Sequence, residues 1–116
     1  MTEPIYNSRD FRCKSPYGAA ASGTPVKLTL RPLRQEGYSR ALLTARFEAR
    51  KDEILTIPMP WSGLDGDRDQ FSCVLDTEGY VGLVWYTFTL ERLDGKKSRQ
   101  LGPYPVSYTH LRAHET

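Results

Sequence analysis

A chain of 116 residues, 39% hydrophobic, 26% charged and 11% aromatic, with a formal net charge of +2, has the size and composition of one globular domain. The charge is too small to argue for nucleic acid, and the aromatic content is too high for a disordered chain. The apolar runs fall far short of the roughly 18–20 residues of a membrane helix. Neither nucleic acid nor a membrane is expected as a partner, and a fold of about 250 residues such as a (β/α)8 barrel does not fit.

The N-terminus, Met1 to Asp10, has neither the basic start nor the apolar stretch of a secretory signal, so a cytoplasmic location is expected. Cys13 and Cys73 then read as free, partly buried thiols. Turn residues dominate residues 1–25, at Ser15-Pro16-Tyr17-Gly18 and Ser22-Gly23-Thr24-Pro25. Val26 to Arg31 alternates strictly and predicts a half-buried strand, ended or pushed to an edge by Pro32. Arg34 to Ser39 is a turn. Ala41 to Ala49 alternates as a strand although its residues are also good helix formers; its strand neighbours favour the strand. Ile54 to Met59 reads as an edge strand, Trp61 to Asp69 as a loop, and Gln70 to Asp76 as a strand. Gly82 to Leu93 alternates most strongly. Asp94-Gly95 is a hairpin signal, with a last short strand near Lys97–Leu101.

Five or six such strands, separated by turns and without a clear helix, predict an all-β, antiparallel β-sandwich. Its inner faces would hold Val26, Leu28, Leu30, Leu43, Phe47, Ile54, Phe71, Val84, Tyr86, Phe88 and Leu90. The same alternation turns Trp85 away from the core and leaves it at least partly exposed.

The C-terminal string Val106-Ser-Tyr-Thr-His-Leu-Arg-Ala-His-Glu-Thr116 resembles the read-through translation of a transposon-based sequencing adapter over all eleven residues. That resemblance divides the chain into a sandwich domain over 1–105 and a non-native tail over 106–116, expected to fray. It also removes His110 and His114, the two histidines of the sequence, from any reckoning of chemistry. A Ser-His-Asp triad, a Cys-His pair or a His-ligated zinc site then has no base or ligand to use.

Ser8-Arg9-Asp10, Ser15-Pro16-Tyr17-Gly18-Ala19, Gly23-Thr24 and the alternating strand from Val26 follow one another in an order that resembles the start of alpha-amylase superfamily enzymes. These are glycoside hydrolases (family 13) of the neopullulanase, cyclomaltodextrinase and amylopullulanase type. Gly82-Leu-Val-Trp-Tyr-Thr-Phe-Thr-Leu90 is similar to the aromatic strand near the end of their N-terminal domain. That domain is an immunoglobulin-like β-sandwich often classed with carbohydrate-binding module family 34. The resemblance runs in order over residues 5–105 and is concentrated in 8–19 and 82–90; the family commonly carries aromatics where this chain has Arg12 and Cys13. It implies a non-catalytic domain of a cytoplasmic starch- or maltodextrin-degrading hydrolase, whose barrel and catalytic carboxylates lie outside these residues. It implies as partners that catalytic barrel, a second subunit in a homodimer and an α-glucan. The strand pattern alone also allows a stand-alone immunoglobulin-like binding or scaffold domain with no carbohydrate link.

No catalytic residue stands out. Glycoside hydrolysis needs two carboxylates about 5–10 Å apart, and nothing in the sequence distinguishes Asp65, Asp67, Asp69, Asp76 or Glu78 from solvated loop acids. Asp65, Asp67, Asp69 and Asp76 occupy positions 1, 3, 5 and 12 of a calcium-loop pattern, with Gln70 where that pattern wants Gly. They are a calcium candidate or a plain acidic turn. Trp61, in a loop, and outward Trp85 are candidates for sugar stacking or for contact with another domain. Tyr17 joins them, more as an anchor of the N-terminal segment than as a ligand contact. Arg9 and Asp10 would form a surface pair or cap a turn.

Overall fold

A computed structural model describes residues 4–16, 20–77, 79–93 and 98–109. Within them run the strands β1 (Lys14–Ser15), β2 (Ala20–Ala21), β3 (Val26–Leu30), β4 (Tyr38–Phe47), β5 (Glu53–Pro58), β6 (Trp61–Asp65), β7 (Arg68–Leu75), β8 (Gly82–Arg92) and β9 (Ser98–Thr109). They form an all-β, immunoglobulin-like sandwich. One sheet has the order β1-β3-β7-β6 and the other β2-β9-β8-β4-β5. The pairings are antiparallel except for β2 against β9. Among the described residues no helix is long and apolar enough to cross a membrane.

The period-2 patterns decide which side chains meet between the sheets. On β8, Val84, Tyr86, Phe88 and Leu90 are fully buried, while Leu83, Trp85, Thr87 and Thr89 on the other face are half-buried. Along β4, Leu43 lies beside Phe88 and the small Ala45 beside Tyr86, which leaves room for the Tyr86 ring between the sheets. Each fully buried Leu, Val or Phe contributes roughly 1.5–3 kcal/mol. The helix-forming composition of β4 is overridden because both of its edges are hydrogen-bonded, to β5 and to β8. An aromatic cluster of Tyr6, Tyr86, Phe88 and Tyr104 packs with ring centroids 4.7–6.1 Å apart.

The structure departs from the sequence reading in four places. Ile54 is 63% exposed instead of lining the core. Its register partner is Arg46, itself opposite Trp85, so Ile54 stands on the outer face of the five-stranded sheet. Trp61 to Asp69 is a hairpin of β6 and β7 turning at Gly66-Asp67 instead of a loop. β6 is an edge strand whose Trp61, Ser62, Leu64 and Asp65 are exposed, so no inside–outside alternation marked it. β3 ends before Pro32, as expected, but it is not half-buried: it lies between β1 and β7, and its outward Thr29 and neighbouring Arg31 are buried. The N-terminal segment lies alongside: Thr29 N–H donates to the Cys13 carbonyl and Arg31 N–H to the Ile5 carbonyl. Asp10 caps a turn, one of the two expected roles: its Oδ1 accepts from Arg12 N–H at 2.9 Å, and its ion pair, at 2.7 Å, is with Arg12.

The last departure is β9. It is not short and does not stop at Pro105, because Val84 pairs with Val106 and Gly82 with Tyr108. Val106 and Tyr108 are 2% and 1% exposed. The step in sequence character at 105/106 is thus not a step in the structure: Val-Ser-Tyr-Thr has the alternation a half-buried strand needs, and over 106–109 the expected fraying is replaced by sheet. Residues 110–116, with both histidines, lie outside the described residues, as do Glu78 and the Asp94-Gly95 turn.

Candidate functional site

The chain leaving β3 stays beside the start of β7. Asp69 N–H donates to the Pro32 carbonyl and Arg34 N–H to that of Asp67, and Leu33 forms a bridge with Arg68. A short 3-10 turn at Arg34–Glu36 follows, closed by Gly37 at φ +73°, a left-handed conformation that glycine takes without strain. This brackets the Arg34 side chain against Asp69. From the other side comes Trp61, which pairs with Phe71 on β7, while a bulge between Trp61 and Gly63 re-aims the start of β6.

The three side chains meet on one carboxylate oxygen. Asp69 Oδ1 accepts from Trp61 Nε1–H at 2.9 Å and from Arg34 Nη1–H at 3.0 Å. Asp69 is 6% exposed and Trp61 is 53% exposed. The indole is therefore tethered by its polar edge while much of its ring stays open to solvent. A buried carboxylate is tolerated here because a guanidinium and an N–H donor compensate it.

Trp61 and Asp69 wall an open groove of about 540 Å³ with Arg34, Tyr38, Ser39 and Phe71. A second concavity of about 280 Å³ shares Trp61, Ser39 and Phe71 with it. The groove lies where the start of β4 from one sheet faces β6 and β7 of the other. Tyr38 is held in place by Arg92, whose guanidinium carbon lies 4.7 Å from the ring centroid and whose Nε donates to the Glu36 carbonyl. Its size falls within the range of small-ligand sites, about 300–1,000 Å³.

The other sequence candidates are elsewhere. Trp85 stands half-buried on the outer face of the five-stranded sheet, in a row that runs Ile54, Arg46, Trp85, Pro105 across four strands. The two tryptophans are thus on different sheets. Tyr17 lies outside the described residues. The four aspartates of the calcium candidate do not form one ligand set: Asp65 pairs with Arg31, Asp67 sits in the hairpin turn, Asp69 belongs to the groove and Asp76 follows the end of β7. Among the described residues no three His, Cys, Asp or Glu side chains come together as metal ligands. Cys13 and Cys73 are both free. Burial pushes the Cys73 thiol up to about 11 and raises Cys13 as well, which keeps both protonated and poorly nucleophilic at neutral pH.

Arg34 and Tyr38 were not singled out from sequence, and Phe71 was placed in the core, where it is 2% exposed, but not at a site. Arg34 and Asp69 are 35 residues apart, and no periodicity reports a meeting across that separation. The local signal was the Gly37 turn, which marks where the chain reverses but not what it reverses onto. No protein-family model matches the chain, and the comparison with curated proteins finds no match.

Proposed function

We propose that this chain is a non-catalytic immunoglobulin-like domain of an α-glucan hydrolase, which holds a glucan weakly in the Trp61 groove and docks on a catalytic barrel or second subunit through the face around Trp85. The observation that carries the reading is the half-exposed indole tethered to Asp69. A pyranose ring presents an apolar C–H face to an aromatic plane and hydroxyls to neighbouring polar groups, and Trp61 beside Arg34 offers both. The resemblance of residues 8–19 and 82–90 to the amylase-superfamily N-terminal domain supports it independently. For the docking face, the support is composition: Ile54, Trp85 and Pro105 stand where an outer sheet face ordinarily carries polar residues, and Arg46 between them is paired with Asp52.

Affinity electrophoresis of the whole chain in gels containing maltodextrin tests the reading. Retardation of the parent and its loss in Trp61→Ala are expected. A parent that migrates as in plain gel removes the glucan and leaves a stand-alone binding or scaffold domain. Reducing-sugar release from maltodextrin or pullulan should equal that of a boiled control.

A further inference from the structure

Among its described residues the Trp61 groove holds the Arg34–Asp69 ion pair, whose balance bears on the ligand. Arg34 is 62% exposed at its side chain and would by itself attract anions, but Asp69, 9% exposed at its side chain, lies 3.0 Å away. The pair carries no net charge. A ligand carboxylate or phosphate approaching Arg34 would also approach the Asp69 carboxylate, which repels it in a partly desolvated site. A neutral ligand meets no such repulsion. The guanidinium has five N–H donors in a planar fork, and the bond from Nη1 to Asp69 leaves others for a pair of adjacent hydroxyls. The same Asp69 oxygen fixes the Trp61 indole.

We propose that Asp69 is the positioning and specificity-determining residue of this groove: by holding Trp61 and neutralising Arg34 it selects a neutral ring with adjacent hydroxyls and rejects the same ring bearing an acid group. This rests on the reading of the groove as a glucan site and adds to it the discrimination and the residue that makes it. Asp69→Asn separates the two roles. The amide keeps an oxygen for Trp61 Nε1–H but no longer compensates the Arg34 charge. Arg34→Gln removes the charge and the fork but leaves an amide N–H that can still donate to Asp69, and the urea midpoint of the variant shows that it is folded.

The test is titration calorimetry of the full chain with two probes, maltoheptaose and a maltodextrin of matched length oxidised at C6 to carboxylates. The parent should bind maltoheptaose at least about tenfold more tightly than the oxidised probe, a ratio equivalent to one lost charge-assisted contact. Asp69→Asn should lower that ratio by about tenfold or more, through tighter binding of the oxidised probe. Arg34→Gln should weaken maltoheptaose about tenfold with no gain for the oxidised probe. A parent that binds maltoheptaose through Trp61, with an Asp69→Asn ratio within about twofold of it, overturns this inference and leaves the glucan reading standing. A parent that prefers the oxidised probe also overturns it. A parent that binds neither probe overturns both.

Discussion

The phenolic oxygens of Tyr6 and Tyr86 lie 2.7 Å apart in the buried core, a hydrogen bond spanning 80 residues of sequence that joins the N-terminal segment to the centre of the five-stranded sheet. Tyr6→Phe leaves the Tyr86 hydroxyl buried without this partner. The expected cost is about 1–3 kcal/mol, seen as a lower urea midpoint at unchanged slope. An unchanged midpoint would show that the bond adds nothing to the stability of the fold.

The same burial governs behaviour in alkali. Desolvation raises Tyr86 and Tyr108 from 10.0 to about 12 and raises Tyr6 further. A phenol whose folded pKa lies above its unfolded one contributes stability that is fully present below the unfolded value and is lost as pH rises through the folded one. Stability should therefore hold up to about pH 10 as far as these groups are concerned, then fall between about 10 and 12. Phenolate absorbance followed alongside circular dichroism checks this: late tyrosines should ionise together with unfolding. If all seven tyrosines titrate near the ordinary value while the fold persists, the buried network is not as described.

Face assignment on β8 is open to a direct comparison. Phe88 is 0% exposed and Trp85 is half-buried on the outer face. Phe88→Ala should cost about 3–5 kcal/mol through transfer and cavity terms, and Trp85→Ala roughly 1. Denaturant unfolding of both variants orders them; the reverse order would mean that the strand is turned over.

The last four described residues of β9 make a separate claim. Removing residues 106–116 takes Val106 and Tyr108, 2% and 1% exposed, out of the core, and strips β2 of its pairing at Ala20 and Ala21. For a domain of this size a loss of about 3 kcal/mol lowers the melting temperature by on the order of 10 °C or more. A thermal scan showing a change of about a degree or less would mean that this strand adds nothing to the fold.

Gly102 sits at the irregularity where β9 loses register with β8 between Tyr86 and Phe88. Its φ is +112°, and an added Cβ would lie 2.9 Å from the Tyr86 carbonyl oxygen, a backbone atom that cannot swing aside. Gly23, at φ +86°, has nothing within 4 Å of such a Cβ. Gly102→Ala should therefore cost more than Gly23→Ala, about 1–3 kcal/mol from backbone strain with steric overlap added. Equal midpoints in urea would remove the close approach.

What the sequence determined by itself follows from local periodicity. Alternation at Val26–Leu30, in the later part of β4, and at Val84–Leu90 sorted inner from outer side chains, and with the turn residues between them it was enough for an all-β sandwich and for an outward Trp85. Local pattern fails where a strand is not half-buried. β6 and β5 are edge strands exposed over most of their length, so Trp61–Asp65 read as a loop and Ile54 was placed on the wrong face. Resemblance to a foreign string likewise gave no hint of whether Val106-Ser-Tyr-Thr109 could pair, because pairing asks only for alternation and an open edge on β8. The groove was decided by tertiary structure. Trp61 was visible as an aromatic, but its tether to Asp69 and the approach of Arg34 depend on the bulge in β6 and on residues 32–34 running beside 67–69. Those contacts join residues far apart along the chain, and only the register of paired strands brings them within hydrogen-bonding distance.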